Sequence, residues 1–142
     1  MPVSAETVAS ANAALGSHFF GEQDRLRGGP ESSLCAASYQ AVLGGNPPMG
    51  RAGHEQFAAG FYAAFPDLHH DVEEVVATDD RAVVRFTLHG THTGNFFGIP
   101  ASGRAIRVVA TAILDVHEGQ VTRLRAVFDE AGLLRQIGVL PA

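Results

Sequence analysis

The stretch RAVVRFTLHGTHTGNFFGIPASGR, residues 81–104, reads as a long β-strand that ends in a loop rich in glycine and phenylalanine. Val84, Phe86 and Leu88 lie at alternate positions, a period of two that is typical of a strand with one buried face. His92 continues this alternation, so we expect its imidazole to look inward, at the mouth of an apolar cavity. The glycines on either side of His92 allow the strand to bend there.

Strand patterns of this kind fill the second half of the chain. Residues 71–78, 104–116 and 121–129 also read as strands, and together with the quoted strand they predict an antiparallel meander. Helical patterns fill the first half, which gives an α+β order. A strongly curved sheet wrapped round a few helices leaves a cavity between the two layers.

Helix signals surround the predicted meander. Ser4 is a suitable N-cap for a first helix, and Pro30 can open a short second helix that runs to Cys35. Residues 53–65 carry three phenylalanines four residues apart, an apolar helical stripe that the following proline stops. A short helix over residues 130–138 closes the chain.

Length, charge and residue usage exclude several classes of function. The 142 residues, 46% of them hydrophobic, predict a single domain, residues 1–142, with a sizeable core. A net charge of −5 argues against a nucleic-acid or anionic membrane partner. All ten basic residues are arginine, so no lysine can form a Schiff base. The N-terminus lacks a signal-peptide pattern and no apolar run is long enough to span a bilayer, so we expect a cytoplasmic protein.

Histidines are abundant, but their spacing does not predict a metal site. His89 and His92 lie three residues apart on a strand and therefore face opposite sides, and no helix carries a paired-ligand motif. His69 and His70, beside Asp71, read as a solvated turn. The glycine-rich segments lack the helix and lysine of a phosphate loop. We therefore expect neither a metal nor a nucleotide.

General acid/base chemistry is the remaining option. A histidine with an unperturbed pKa of about 6.5 moves protons near neutral pH, and His92 facing an apolar cavity suits that role. Its partner would be Tyr39 or a carboxylate of the first helix, such as Asp24, and Tyr62 is the second phenol able to donate into the cavity. The alternative, a His92 satisfied by backbone or by the following turn, stays open. Asp129 suits a different task, the N-cap of the closing helix.

Three segments carry a resemblance to a known family. GHEQFAAGFYAAFPDL, VVRFTLHGTHTGNFFGIPASGR and DEAGLLRQIG, residues 53–68, 83–104 and 129–138, resemble in order and spacing the SnoaL-like polyketide cyclase family. The resemblance covers residues 50–138. It implies the cone-shaped α+β barrel of the nuclear transport factor superfamily, in which N-terminal helices pack in a strongly curved antiparallel sheet that encloses a pocket. It also implies a homodimer, a hydrophobic small-molecule substrate, and no metal or organic cofactor.

The resemblance assigns site residues unevenly. The family's pocket histidine is present as His92. The catalytic aspartate of the aldol cyclases falls on Ala126, two polar residues of the preceding strand fall on Ala110 and Ala112, and a tyrosine of the first helix falls near Phe20. Apolar residues thus replace the aldol-cyclase groups, so their mechanism does not transfer to this sheet.

The resulting hypothesis is a cofactor-independent enzyme of secondary metabolism, a cyclase that closes a ring by acid/base catalysis in an apolar pocket. His92, Tyr39 and Asp24 are its predicted catalytic residues. An epoxide-hydrolase-like or hydroxylase-like reaction, a non-catalytic binder of a hydrophobic metabolite, and a structural module with a filled cavity are the alternatives. The predicted substrate-binding residues are Phe20, Phe57, Phe61, Phe86, Leu114, Leu124, Ala126 and Phe128.

Overall fold

Three helices and a five-stranded sheet make up the structure, a computed structural model that describes residues 4–141. This α+β architecture confirms the predicted fold class. In chain order the elements are α1 (Ala5–Leu26), a 3₁₀ turn (Ser32–Leu34), β1 (Cys35–Leu43), α2 (Arg51–Ala64), β2 (His69–Ala77), β3 (Arg81–Thr91), β4 (Ala105–His117), β5 (Gln120–Phe128) and α3 (Glu130–Gln136).

The five strands form one mixed sheet in the order β1-β5-β4-β3-β2. Strands β2 to β5 make the predicted antiparallel meander. β1 adds to it in parallel beside β5, so the sheet is not purely antiparallel as expected. β1 and β2 are the two edges and do not pair with each other, which leaves the sheet curved but not closed.

The short helix predicted from Pro30 to Cys35 is confirmed only in part. The chain makes one 3₁₀ turn at Ser32–Leu34 and then enters β1. A register shift between Cys35 and Gln40 interrupts the pairing of β1 with β5. Such a bulge breaks the alternation of buried and exposed residues by which a strand is recognised.

Long pairing between β3 and β4 forms the centre of the sheet, and their inner faces form the core. Val84 of β3 and Leu114 of β4 are fully buried. α1 crosses this inner face at Gly16, where a Cβ atom would lie 2.9 Å from the side chain of Val84. This close approach of helix and sheet at one end leaves the space between the layers at the other end.

Two predicted helix caps are confirmed. The side chain of Ser4 accepts a hydrogen bond from the backbone N–H of Thr7 at 3.2 Å. The carboxylate of Asp129 accepts one from the backbone N–H of Gly132 at 2.9 Å. No helix within residues 4–141 is long and apolar enough to cross a membrane.

The loop after β3 docks on the end of α2. The backbone N–H groups of Thr93 and Gly94 both donate to the carbonyl oxygen of Ala64, at 3.1 and 3.0 Å. A Cβ atom on Gly94 would overlap the carbonyl oxygen of Ala63. Glycine is therefore required where this loop meets the last turn of the helix.

Candidate active site

A pocket lies between the helices and the inner face of the sheet. Its empty space, including the open mouth, is about 610 Å³. Most of its wall is apolar, and no arginine, lysine, aspartate or glutamate is among the lining residues. These are Phe20, Gln23, Leu43, His54, Phe57, Ala58, Phe61, Tyr62, Leu68, His70, Phe86, Leu88, Ala110, Leu124, Ala126, Val127 and Phe128.

Seven of the eight side chains expected to contact substrate lie on this wall. Leu114 is the exception: it is fully buried in the core beneath the pocket. Ala110 of β4 and Ala126 of β5 face the pocket, so the sheet offers hydrocarbon at the positions where the resemblance expected acidic or polar groups. β4 and β5 therefore supply no proton donor to the pocket.

Four polar side chains line the part of the pocket away from β4 and β5, and all come from α1, α2 or the start of β2. They are Gln23, His54, Tyr62 and His70. All four are buried or nearly so; the side chain of His70 is 9% exposed. The titratable chemistry of the pocket is thus confined to one wall.

Asp24, which does not line the pocket itself, is hydrogen-bonded to two of these polar groups, Tyr62 and His70. Its Oδ1 accepts a hydrogen bond from the Tyr62 hydroxyl at 2.7 Å and one from Nδ1 of His70 at 2.7 Å. Its Oδ2 accepts the backbone N–H of His70 at 2.7 Å. The ring of His70 packs between Phe20 and Phe86, with centroids 5.2 and 5.0 Å away. Both ends of the carboxylate therefore hold His70 in one orientation.

The protonation states in this cluster follow from its hydrogen bonds. Burial alone would raise the pKa of Asp24, but the hydrogen bonds and charge of His70 and the hydrogen bond of Tyr62 outweigh it and leave this pKa below its usual value. The pKa of Tyr62 is raised, first by burial and then by its bond to Asp24, so Tyr62 stays a phenol. A carboxylate only accepts, so Nδ1 of His70 carries a proton, and the neutral form of the ring has its lone pair on Nε2.

Tyr39 and His54 form a second pair. The Tyr39 hydroxyl lies 2.8 Å from Nδ1 of His54, and the two rings are nearly parallel with centroids 6.1 Å apart. Burial raises the pKa of Tyr39, so it remains a phenol. Burial, with a smaller contribution from His70, lowers the pKa of His54 to about 4. His54 is therefore neutral at physiological pH.

The tautomer of His54 follows from its partner. No other acceptor within residues 4–141 is hydrogen-bonded to the Tyr39 hydroxyl, so we assign this hydroxyl as the donor to Nδ1. The neutral ring then carries its proton on Nε2, on the other side from Tyr39. Tyr39 itself does not line the pocket, so it orients His54 from behind.

His92 lies elsewhere, which differs from the expectation that it faces the pocket. The residue is fully buried, but its ring packs against Phe65 and Phe96, with centroids 5.3 and 6.5 Å away. Its Nδ1 accepts the backbone N–H of Ser102 at 3.1 Å and lies 2.9 Å from the hydroxyl of the same residue. Its backbone pairs with Gly103 and Arg104. The imidazole thus anchors the loop that follows β3.

The structure does not bring the three predicted catalytic residues together. Tyr39 is bonded to His54, Asp24 to Tyr62 and His70, and His92 to Ser102. No hydrogen bond among the described residues joins any two of Asp24, Tyr39 and His92. Each predicted residue thus belongs to a separate cluster.

Sequence reasoning missed His54 and His70. The interpretation of His69 and His70 as a solvated turn is wrong, because both lie in β2. On a strand adjacent residues face opposite sides, so His69 stacks on His89 outside while His70 enters the pocket. A signal for His54 was available: it lies three residues before Phe57 and seven before Phe61, on the stripe of α2.

No group of three or more potential metal ligands occurs within residues 4–141. The arrangement offers two histidines, His70 as a proton acceptor and His54 as a hydrogen-bond donor. Such a pair can carry general acid/base chemistry.

Comparisons with known proteins give a family and a fold. The SnoaL-like polyketide cyclase family matches residues 33–137. No curated protein matches the chain.

Solved structures similar to this one extend over nearly the whole chain. A candidate SnoaL-like polyketide cyclase of Jannaschia sp. CCS1 is 22% identical, with a TM-score of 0.83 over 99% of both chains. AclR, a candidate hydroxylase of Streptomyces galilaeus, is 23% identical, with a TM-score of 0.82 over 94% of this chain and 89% of its own. IdmH, a candidate polyketide cyclase of Streptomyces antibioticus, is 24% identical, with a TM-score of 0.72 over 92% and 97%. These similarities show the fold.

Proposed function

The chain belongs to the SnoaL-like polyketide cyclase family, and from this premise we propose that it closes a ring in a neutral hydrophobic small molecule by acid/base catalysis. The observation that carries the proposal is the bond between Asp24 and His70 at the polar wall of an otherwise apolar pocket. In this proposal His70 takes the role of base that the sequence assigned to His92.

His70 is the general base. Asp24 fixes the ring proton on Nδ1, so the lone pair of Nε2 is the one available to a substrate. The same carboxylate stabilises the imidazolium that forms when Nε2 accepts a proton. Tyr62, which donates to the same oxygen of Asp24, keeps this carboxylate in place.

His54 is the hydrogen-bond donor to the developing oxyanion. Its pKa of about 4 keeps it neutral at physiological pH, and the phenol of Tyr39 occupies its Nδ1. The Nε2–H therefore serves as a fixed donor in a dry site, where such a bond is stronger than in water.

The proposed reaction transfers one proton, from the substrate to His70 and back. Nε2 of His70 removes a proton from a carbon next to a carbonyl group, and the enolate attacks a second carbonyl of the same molecule. A carbon–carbon bond forms, the second carbonyl becomes an alkoxide that His54 stabilises, and the proton on His70 returns to that alkoxide. The apolar wall folds the flexible substrate into a reactive shape, which brings the two carbons together.

The test is turnover of aryl β-diketones that carry a third ketone within reach of the activated carbon. In D₂O, NMR follows both deuterium exchange at that carbon and the cyclised product. His70→Gln is expected to lower the rate roughly 10²- to 10⁴-fold. His69→Gln is the matched control, because His69 is the neighbouring histidine on the outer face of the sheet.

Equal rates for His70→Gln and the wild type would refute this role. A wild type that binds the diketones and releases them unchanged would instead favour the non-catalytic binder. The observation on the side of that second candidate is the hydrocarbon surface of Ala110 and Ala126 on the sheet.

A homodimer through the outer face of the sheet is part of the proposal. The resemblance to the family supports this dimer, and Val76 of β2 and Val127 of β5, which are 59% and 63% exposed, would be covered in it. Light scattering after size-exclusion chromatography would give twice the mass of one chain; a single-chain mass would refute the dimer.

A further inference from the structure

The side chain of Gln23 has a role that neither catalytic pair explains. Gln23 is 3% exposed and lines the pocket from α1. No group within residues 4–141 accepts a hydrogen bond from its Nε2, which is completely buried. Buried amide groups are nearly always paired, so this one marks a position where a bound molecule can supply the missing partner.

The position of Gln23 on α1 connects it to the proposed base. Phe20, Gln23 and Asp24 are spaced i, i+3 and i+4, so they share one face of the helix. Asp24 holds His70, and Phe20 packs on the ring of His70. A group bound by Gln23 therefore lies on the same wall as the base.

The electrostatics of this wall select a neutral ligand. No arginine or lysine lines the pocket, and the carboxylate of Asp24 lies directly behind His70. The guanidinium of Arg27 lies behind the ring of Tyr62, 4.7 Å from its centroid, and donates to the backbone of Leu68, so it is not on the pocket wall. An anionic ligand would therefore meet the charge of Asp24 with no cation on the wall to pair with, at a depth where charge is poorly screened. A carbonyl oxygen, by contrast, can accept from a neutral amide, which turns about its last torsion at little energetic cost.

The shape of the remaining wall selects a flat, apolar ligand. Phe20, Phe57, Phe61, Phe86 and Phe128 all line the pocket, and aromatic rings favour offset or edge contacts with other rings.

We propose that Gln23 binds the carbonyl oxygen of a neutral aromatic ketone and thereby turns the carbon next to that carbonyl towards Nε2 of His70. The inference rests on the proposed function for the identity of the base. It goes beyond that function by naming the residue that selects the substrate and the group that it selects.

Two measurements on Gln23→Met test the inference. In the free protein, methionine replaces an unpaired buried amide by an apolar chain of similar length, so the melting temperature should rise by about 2–6 °C. Gln136→Met is the matched control. The Gln136 amide is fully bonded to the backbone N–H and C=O of Arg107, at 2.6 and 2.9 Å, so its loss should lower the melting temperature.

The second measurement compares fluorenone with fluorene, two flat molecules that differ by one carbonyl oxygen. Titration followed by ¹H–¹⁵N NMR should move the side-chain NH₂ signals of Gln23 with fluorenone and not with fluorene. In Gln23→Met the dissociation constant for fluorenone should rise roughly 5- to 100-fold, while that for fluorene stays unchanged.

Three results would overturn the inference. A less stable Gln23→Met would mean that the amide is already satisfied in the free protein. Unchanged fluorenone affinity in that variant would mean that the amide does not contact the ketone. Failure of both compounds to bind the wild type would exclude this ligand class. None of these measurements needs turnover, so they are independent of the His70 test. A protein that binds fluorenone through Gln23 but does not convert the diketones is a ketone binder.

Discussion

Acidification should destabilise this protein through the buried imidazole of His54. The pKa of His54 is about 4 in the folded protein, against 6.5 for an exposed histidine. Between these two values the unfolded chain binds more protons than the folded one, so the free energy of unfolding rises with pH. The contribution of His54 is complete above pH 6.5 and is lost as the pH falls towards 4. At about 1.4 kcal/mol for each unit of pKa difference, the loss amounts to about 3 kcal/mol.

The variant His54→Asn isolates this contribution. The amide oxygen of asparagine can still accept from the hydroxyl of Tyr39, but the side chain does not titrate. Urea unfolding at neutral pH and at about pH 4, followed by circular dichroism, gives the stability of both proteins. The advantage of the wild type over His54→Asn should shrink by about 3 kcal/mol between the two conditions.

The carboxylates that titrate in the same range are common to both proteins, so they cancel in the comparison. His69→Asn is the matched control for the loss of an exposed imidazole. If the wild type and His54→Asn lose stability in parallel, the ring of His54 is not held neutral by burial, and its assignment as a neutral donor fails with it.

Two further changes test the packing around the pocket. Gly94→Ala should lower the free energy of unfolding by about 2 kcal/mol or more, because its Cβ would overlap the carbonyl oxygen of Ala63. The control Gly21→Ala, in open space on α1, should be neutral or raise that free energy by up to about 1 kcal/mol. Equal urea midpoints for the two variants would contradict this prediction. Ala126→Phe should fill the pocket and weaken fluorenone binding more than about tenfold. The control Val76→Phe, on the outer face of the sheet, should leave the fluorenone affinity unchanged. Retained affinity in Ala126→Phe would show that the ligand binds elsewhere.

Most of the fold could be predicted because its signals are local. β3 and β4, the central strands of the meander, alternate almost regularly between buried and more exposed residues. The caps at Ser4 and Asp129 are formed by side chains within three residues of their partners. β1 could not be predicted in the same way. Three of its nine residues are alanine, it carries a bulge, and it is held by parallel pairing with β5, some eighty residues later in the chain. Pairing between parallel strands that lie so far apart in the chain produces no periodic pattern in the sequence.

The apolar half of the site was predictable, but its chemistry was not. Phe57 and Phe61 follow the helical period, and their burial needs no knowledge of distant residues. The pairing of Asp24 with His70 spans 46 positions and exists only after α1 has packed on β2. The same limit explains His92: the strand period correctly placed the ring inside, but only the path of the loop decides that Ser102 meets it there.

The separation of the two walls constrains any reaction in this pocket. β4 and β5 present Ala110, Leu124, Ala126 and Phe128, which can hold a flat molecule but cannot exchange protons with it. Both histidines reach the pocket from the side of α1, α2 and β2. A substrate that lies on β4 and β5 must therefore place its acidic carbon and its electrophilic carbonyl along the edge that faces α1, α2 and β2. The resemblance would put the acid at position 126, on the sheet. In the proposed reaction the proton transfers come from His54 of α2 and His70 of β2. Its substrate would therefore present to these elements the edge that an aldol cyclase with an acid on its last strand would hold against that strand.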